Sequence, residues 1–449
     1  MRNQNISWCR FTSFLLDRRS VLTLILLNLL VLTEASLVPQ RFETPAQDTT
    51  LWRLAHPCLD HCLQLFGLDH VFSTSWFGVL LISSLIALLA SLYRQVAQAW
   101  SRTFAEPQVA AGKHWLPLSM PEQLHPSALR RSGYLQVFGG DGKWRYLKNP
   151  WGYWGNPLLH TGMTIILAAS LLMALTQQRG LLHLHEGEVH APGAEWLLTE
   201  RGPLATPIVF PEAIGLDYVL PEFWGDTGEL QRLSSGVRFI APDSGSVSQA
   251  SLTVNTIVSR HGFRLYQGTD FGHSFYLEID FGGGRQQAVV FDIKHPQSRG
   301  EAGYGNFRVD GVPDLIKAKY VFDDQTPTAL AGNPRLVLRL VDDMGALHAE
   351  QDMTLGASAT LGPYRVRLSR VGRWSSIIVT RLYGMALIFF GFFLVIVGSG
   401  LVYFSPVREV LVYKNKGGFL LSWRAGRFAH FYQNEYESLL KSLRIWTHS

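Results

Sequence analysis

Four apolar runs decide most of what this chain can fold into: Val21–Leu37, Trp76–Tyr93, Leu158–Leu175 and Leu382–Phe404. A helix that crosses a bilayer needs about 20 mostly apolar residues, because hydrocarbon offers no partner to an unpaired backbone amide. The fourth run meets this outright, while Glu34 interrupts the first near its end and His160 lies inside the third. The first run exceeds the apolar stretch of about 7–15 residues found in a cleaved leader. It therefore reads as a retained helix, although Thr33 and Ala35 would suit a small-x-small cleavage site. Charged residues are only 17% of the chain, against about 25% in soluble domains, which fits a membrane protein with one sizeable polar part. Three cysteines cannot frame a disulfide scaffold.

Basic residues then predict sidedness. Residues 1–20, 94–157 and 405–449 together hold nineteen Lys and Arg against seven acids. Lys and Arg in short loops stay on the cytoplasmic side. The expected layout is a cytoplasmic N-terminus (1–20), three spanning helices within 21–178 joined by a cytoplasmic loop 94–157, an external β domain 179–381, a fourth helix 382–404 and a cytoplasmic tail 405–449. That describes a multi-pass protein of the inner (plasma) membrane with the lipid bilayer as its first partner. Trp151, Tyr153 and Trp154 suit an interfacial belt on the inner side, and Trp76 and Trp374 on the outer. The net charge of +5 is too mild to imply nucleic acid, and none is expected as a partner.

The long segment between the third and fourth runs alternates like strands at Ser251–Ile257, Gly262–Gln267, Ser274–Phe281, Ala288–Ile293, Pro334–Val341 and Tyr364–Leu368, with Gly, Pro and Asp clusters between. Such spacing predicts an antiparallel, sandwich-like all-β domain. Its expected core or core-edge residues are Val254, Phe263, Leu265, Phe275, Leu277, Ile279, Val337, Leu338 and Leu340. Residues 196–225 read as less regular. In the tail, Phe428, Phe431, Tyr432, Tyr436, Leu439, Leu440 and Leu443 recur at helical spacing and predict an amphipathic helix.

No P-loop, H-E-x-x-H, G-x-S-x-G or C-x-x-C-H occurs, so nothing marks a hydrolase or a nucleotide enzyme. His160 stands out instead. An ionisable group inside a spanning segment is costly and points to function, and neutral imidazole is a common axial ligand of haem iron. The plainer alternative is an interfacial histidine bonded to a neighbouring helix. His183 and His185 would share one strand face and are candidates for a haem or metal contact, or for solvated strand histidines. Cys58 and Cys62, flanked by His56 and His61, could bind metal or act in redox chemistry, but the C-x₃-C spacing matches no strong zinc pattern. On a helix it also resists a disulfide.

These pieces together resemble the ResB-like (CcsB) proteins of cytochrome c biogenesis. The resemblance is carried by Leu37-Val38-Pro39-Gln40, by Leu65-Phe66-Gly67-Leu68-Asp69-His70-Val71-Phe72 before the second run, by His160-Thr161-Gly162, by Glu186-Gly187-Glu188, and by Leu252-Thr253-Val254-Asn255 followed by Gly262-Phe263-Arg264-Leu265-Tyr266-Gln267. A strand pair after the fourth run, Val410–Lys414 and Gly418–Trp423, is similar too. The chain departs from the family at Asn255-Thr256-Ile257-Val258, and the Cys58–Cys62 cluster is not a family motif.

The resemblance implies a subunit of a haem delivery and cytochrome c synthase complex that is not catalytic on its own. It implies haem as a transient cofactor shared with a polytopic ResC/CcsA-like partner, His160 as an axial haem ligand, and apocytochrome c held by the external domain. Two other readings of the residues remain: a membrane-anchored β module that scaffolds without haem, and a thiol-redox factor using Cys58 and Cys62.

Overall fold

The computed structural model describes residues 17–40, 46–107, 115–118, 126–224, 229–296, 301–321, 335–342, 344–415 and 418–442. Pro334 and Leu443 lie outside them. Contacts divide the chain into two units: residues 1–34, 75–174 and 383–449 form one, and residues 35–74 and 175–382 the other.

In the first unit the four apolar runs are helices Arg18–Leu37, Ser75–Phe104, Gly155–Thr176 and Met385–Phe404, each long and apolar enough to span a membrane. The second has 30 residues and so reaches about 45 Å, more than the hydrocarbon layer needs. The third and fourth run antiparallel and touch through glycine. A Cβ on Gly162 would fall 2.6 Å from the Gly391 carbonyl oxygen, and one on Gly398 would fall 2.5 Å from the Leu159 amide nitrogen. Helices in lipid pack through such small residues because backbones can then approach. Gly155 and Gly162 on one helix, Gly391 and Gly398 on the other, recur at the seven-residue interval that keeps a seam in register.

A five-stranded sheet completes this unit, in the order Leu116–Leu118, Gly418–Ala425, Arg408–Asn415, Lys143–Lys148, Leu135–Gly140. Its core is Leu129, Tyr134, Tyr146, Val410, Val412, Leu421 and Leu439. The loop after the second helix and the tail are thus one folded module, which their separate sequences do not reveal. Buried Arg145 meets Glu409 at 2.6 Å, and Glu435 accepts from Lys148 at 2.9 Å, Arg408 at 3.1 Å and the Tyr134 hydroxyl at 3.2 Å. The expected tail helix is shorter than its spacing suggests. Phe428 has φ of 54°, which interrupts helical geometry, a 3₁₀ turn covers Ala429–Tyr432, and the α-helix is Gln433–Ser442.

The second unit holds the large antiparallel β region. Two 18-residue strands, Phe263–Asp280 and Tyr364–Arg381, pair along their length and organise it. At one end they are flanked by Val258–Arg260, Gln178–His185 and Leu198–Arg201, and at the other by Gln286–Lys294 and Ser358–Leu361. Two further four-stranded sheets complete the region: Val189–His190, Ala213–Phe223, Leu230–Ile240 and Val247–Thr253, and then Gly303–Phe307, Leu315–Val321, Arg335–Val341 and Leu347–Met353.

Two apolar cores result. One gathers Leu182, Leu184, Ile214, Leu216, Val237, Leu252, Phe263, Leu265, Ile377 and Val379, and the other Phe275, Leu277, Ile279, Phe291, Ile316, Leu336, Leu338, Leu340, Val366 and Leu368. Between them, on the shared strands, lies a buried polar layer. Gln267 Nε2 donates to Ser375 Oγ at 2.7 Å, Ser235 Oγ donates to the same oxygen at 3.2 Å, and Arg373 Nη1 donates to the Val219 carbonyl at 2.6 Å.

Several expectations are corrected here. Gly262–Gln267 and Ser274–Phe281 are parts of one strand, joined across an irregularity at 268–270, and Tyr364–Leu368 continues to Arg381. Val254 is 58% exposed because its strand ends at Thr253, where Asn255 turns the chain with φ of 74°. Val337 is half-buried, on the strand face opposite Leu336 and Leu338. Ala213–Phe223 is an 11-residue strand within the stretch expected to be less regular, and its pairing is interrupted at Leu216/Tyr218 and Glu222/Phe223. Trp374 is buried in the sheet, paired with His185, so it marks no interface.

Candidate functional sites

His160 lies on the third spanning helix, half-buried, one turn past its start. Its Nδ1 is 2.9 Å from the Asn156 carbonyl oxygen. A carbonyl can only accept, so Nδ1 carries a proton, and in the neutral ring Nε2 is then the nitrogen with the lone pair. That is the tautomer a metal-ligating histidine uses, with the second nitrogen anchored on the backbone. The helix turns about 100° per residue, so His160 points well away from the Leu159 side that packs on Gly398. One oriented imidazole nitrogen, off the helix–helix seam, fits one axial position of haem.

In the β region His183 and His185 point to the same face of Gln178–His185, opposite the core residues Leu182 and Leu184. Asp292, 107 residues on from His185, meets them there. His183 Nε2 lies 2.7 Å from Asp292 Oδ2, and His185 Nε2 lies 3.1 Å from both Asp292 oxygens. Glu188 Oε2 accepts from His185 Nδ1 at 2.7 Å and from its backbone N–H at 2.9 Å.

The sheet explains the meeting. Two strands run between the histidines and Asp292; Trp374 pairs with His185 there, and its neighbours on that face, Gly272, Gly372 and Ser274, are small enough to leave room for the indole and both imidazoles. A Cβ at Gly272 would fall 2.1 Å from the Ile293 carbonyl oxygen and 2.9 Å from the Trp374 indole nitrogen. His183 stacks on that indole at 4.2 Å. The turn Glu186-Gly187-Glu188 fixes the end of the strand. Gly187 has φ of 90°, and Glu186 accepts the backbone N–H groups of Val219 and Arg373 at 2.9 and 3.2 Å.

The hydrogen bond to Asp292 raises the pKa of His185, with a smaller rise from Glu188 and some opposition from burial. Burial alone would raise the Asp292 carboxyl, but the hydrogen bonds from His183 and His185 hold it well below the usual carboxylate range. Among the described residues, His183, His185 and Asp292 are the one group of three whose ligand atoms all converge, within 4.8 Å of one another.

Cys58 and Cys62 sit one turn apart on helix Pro57–Phe66, exposed and as free thiols. His56 turns back instead, its Nδ1 donating to the Trp52 carbonyl at 3.0 Å. Sequence reading singled out both strand histidines but not Asp292. Alternation in Ala288–Ile293 already set Asp292 on the face opposite Phe291 and Ile293, yet nothing local pointed to its partners.

The model of the ResB-like family matches residues 21–418. Cytochrome c biogenesis protein CcsB of Synechococcus sp. strain JA-2-3B'a(2-13) is 26% identical over 84% of this chain and 80% of its own length. The CcsB protein of Synechococcus sp. strain CC9902 is 22% identical over 97% of this chain and 98% of its own length. That of Thermosynechococcus vestitus is 30% identical over 47% of this chain and 48% of its own.

Proposed function

The chain belongs to the ResB-like family, and from that premise we propose that it acts in cytochrome c biogenesis as the membrane subunit that holds haem on its way to apocytochrome c. The observation that carries this reading is His160: a half-buried imidazole on a spanning helix, with Nδ1 tied to Asn156 and Nε2 left with its lone pair. Haem is here the cargo. Its iron takes imidazole axially, and His160 supplies one such nitrogen on a rigid support. A polytopic ResC/CcsA-like partner supplies the opposing ligand and the covalent chemistry, so this chain is not a catalyst by itself. The β region binds apocytochrome c and raises its effective concentration near the haem.

We place that region outside and both termini inside, on the strength of the basic residues. The ladder between Lys143–Lys148 and Arg408–Asn415 supports one side for the second loop and the tail, since paired strands cannot have a bilayer between them.

The test is His160→Ala in the protein co-expressed with its partner. The helix still inserts, because removing an imidazole makes the segment more apolar. Bound haem, read from its Soret band, and cytochrome c maturation are lost together. Free imidazole restores part of both, and restores more in His160→Gly, where the cavity is larger. Normal haem content with normal maturation in His160→Ala would remove the residue from the mechanism.

A further inference from the structure

We propose that His183, His185 and Asp292 form a binding site for a divalent first-row transition metal ion, of the class typified by Zn2+, with Glu188 orienting one of its ligands. Nothing in the haem reading requires this site, and the test below reads metal rather than haem.

The argument begins with His185. Both of its ring nitrogens face carboxylates, Nδ1 towards Glu188 at 2.7 Å and Nε2 towards Asp292 at 3.1 Å. A neutral imidazole has one N–H and one lone pair, so it cannot donate to both. The second position needs either a proton or a metal ion between nitrogen and carboxylate. His183 directs its own Nε2 at the same Asp292 oxygen from 2.7 Å. Two imidazole nitrogens and a carboxylate therefore converge on one point.

The surroundings match what a metal site needs. Zn–N and Zn–O bonds are about 2.0–2.2 Å, which sets ligand atoms roughly 3.3 Å apart in a tetrahedron. The observed separations of 2.7 and 3.1 Å need to open by about 0.6 and 0.2 Å. Glu188 on the far nitrogen of His185 reproduces the carboxylate–histidine–metal arrangement that fixes tautomer and ring orientation. The Trp374 indole, stacked on His183 at 4.2 Å, fixes the other ring.

The donor set also selects the ion. Imidazole disfavours Ca2+ and Mg2+, and the absence of thiolate from the group disfavours Cu(I). Haem does not fit between these histidines. Its axial ligands lie on opposite faces of the porphyrin, whereas His183 and His185 approach from the same side with ring centroids 5.3 Å apart. On binding, His183 moves its proton from Nε2 to Nδ1, while His185 releases its Nε2 proton to solvent and keeps the Nδ1–H that it donates to Glu188. The ion would tie strand Gln178–His185 to strand Gln286–Lys294 across the two strands between them.

The experiment uses the full chain in detergent, purified without a histidine tag, stripped with chelator and titrated with Co2+. Expected are visible d–d bands of low-coordinate Co2+ that saturate at one equivalent per chain, disappear on adding Zn2+, and are lost in His185→Ala and in Asp292→Ala. Glu188→Gln keeps all three ligand atoms, so it should keep the bands and weaken Co2+ binding by about 10–100-fold. No saturable band in the wild-type chain overturns the proposal. So does a band that persists in both ligand variants, or one with the near-ultraviolet thiolate charge transfer that Cys58 and Cys62 would give. Should a ligand variant fail to fold, Glu188→Gln decides: unchanged Co2+ affinity there counts against the site.

Discussion

In the spanning helices most of the bonded polar side chains reach four residues back, whereas in the β region several bond partners that are distant in the chain. Thr23 donates to the Arg19 carbonyl, Thr33 to Leu29, Ser83 to Val79, Thr161 to Pro157 and Thr164 to His160, and His160 itself donates to Asn156. Against these stand Ser235 with Ser375, Gln267 with Ser375, and His183 with Asp292. The difference teaches how each region can serve function. A helix that satisfies its own polar groups inserts without tertiary help, and can present one nitrogen to a cargo or partner beyond the chain. A sheet whose polar groups depend on remote strands assembles only as a whole, and in doing so it closes a set of ligands around one point.

The sharpest way to break this contrast is a matched pair of truncations. Phe275 is fully buried in one β core, and Phe389 on the fourth spanning helix is 66% exposed. Phe275→Ala should cost about 3–5 kcal/mol, read as early unfolding of the β region by proteolysis or denaturant. Phe389→Ala should leave unfolding nearly unchanged. Equal losses would mean that the exposed helix face packs as a core does.

Next in size is Glu186, whose carboxylate holds the Val219 and Arg373 N–H groups from a turn far from both. Glu186→Ala leaves two donors without their acceptor. At about 1–3 kcal/mol for each unsatisfied buried group, a loss of roughly 2–6 kcal/mol is expected from the denaturation midpoint. A loss below about 0.5 kcal/mol would show that water replaces the carboxylate and that the long-range bonds matter less than argued.

Sequence reading succeeded where the physics is local and faltered where it is not. Burial in lipid asks the same thing of every residue in a run, so the four helices could be read directly, to within a few residues for three of them. The second continues from Tyr93 to Phe104 because amphipathic residues past Arg94 still favour a helix. The antiparallel β class followed from alternation, and most of the predicted core is buried. What could not be read was pairing. Gly268 and Asp270 look like a turn between two strands, yet the chain carries on as one strand because Tyr364–Arg381 pairs with it on both sides of the irregularity. The polar residues Gln267, Arg373 and Ser375 look like exposed positions until the second core closes over them. For the sites, His160 was conspicuous as the one ionisable residue in the apolar run Leu158–Leu175, and His183 and His185 were conspicuous as a pair. Asp292 reads like any carboxylate on a half-exposed strand.

A third prediction uses pH. His295 is stacked between Phe223 and Phe271, with centroids 5.0 Å away on each side. Burial, and then the positive charge of Arg373, push its pKa down to about 4. The unfolded chain takes up this proton near pH 6.5, the folded one only near 4. The unfolded state therefore binds more protons between those values, and stability falls as pH drops from about 6.5 to 4 and then levels off. The slope amounts to about 1–3 kcal/mol over that window, allowing for partial exposure of the ring. His185 has the opposite shift. Its contribution is complete below about pH 6.5 and is lost as pH rises through its raised value. Comparing wild type with His295→Phe cancels that term. The variant should lose the acid-side slope, and an identical slope in both would mean that His295 is already solvated.

The smallest expected effect tests the helical side of the contrast. Asn28 on the first spanning helix donates to the Leu24 carbonyl at 2.8 Å and also to Ser84 Oγ on the second at 2.9 Å. It is thus the point where the local rule gives way to a bond between helices. Hydrogen bonds of this kind contribute only about 0.6 kcal/mol on average, because a helix separated in lipid finds other partners for the same group. Asn28 has such a partner in its own helix. Asn28→Leu should therefore change the unfolding free energy by less than about 1 kcal/mol, and Ser84→Ala by no more. The double variant should cost about the sum of the two if the bond between them is weak, and less than the sum if it is strong. A coupling of several kcal/mol in that cycle would place a long-range polar contact at the centre of the helical unit as well, and the two regions would then differ in degree rather than in kind.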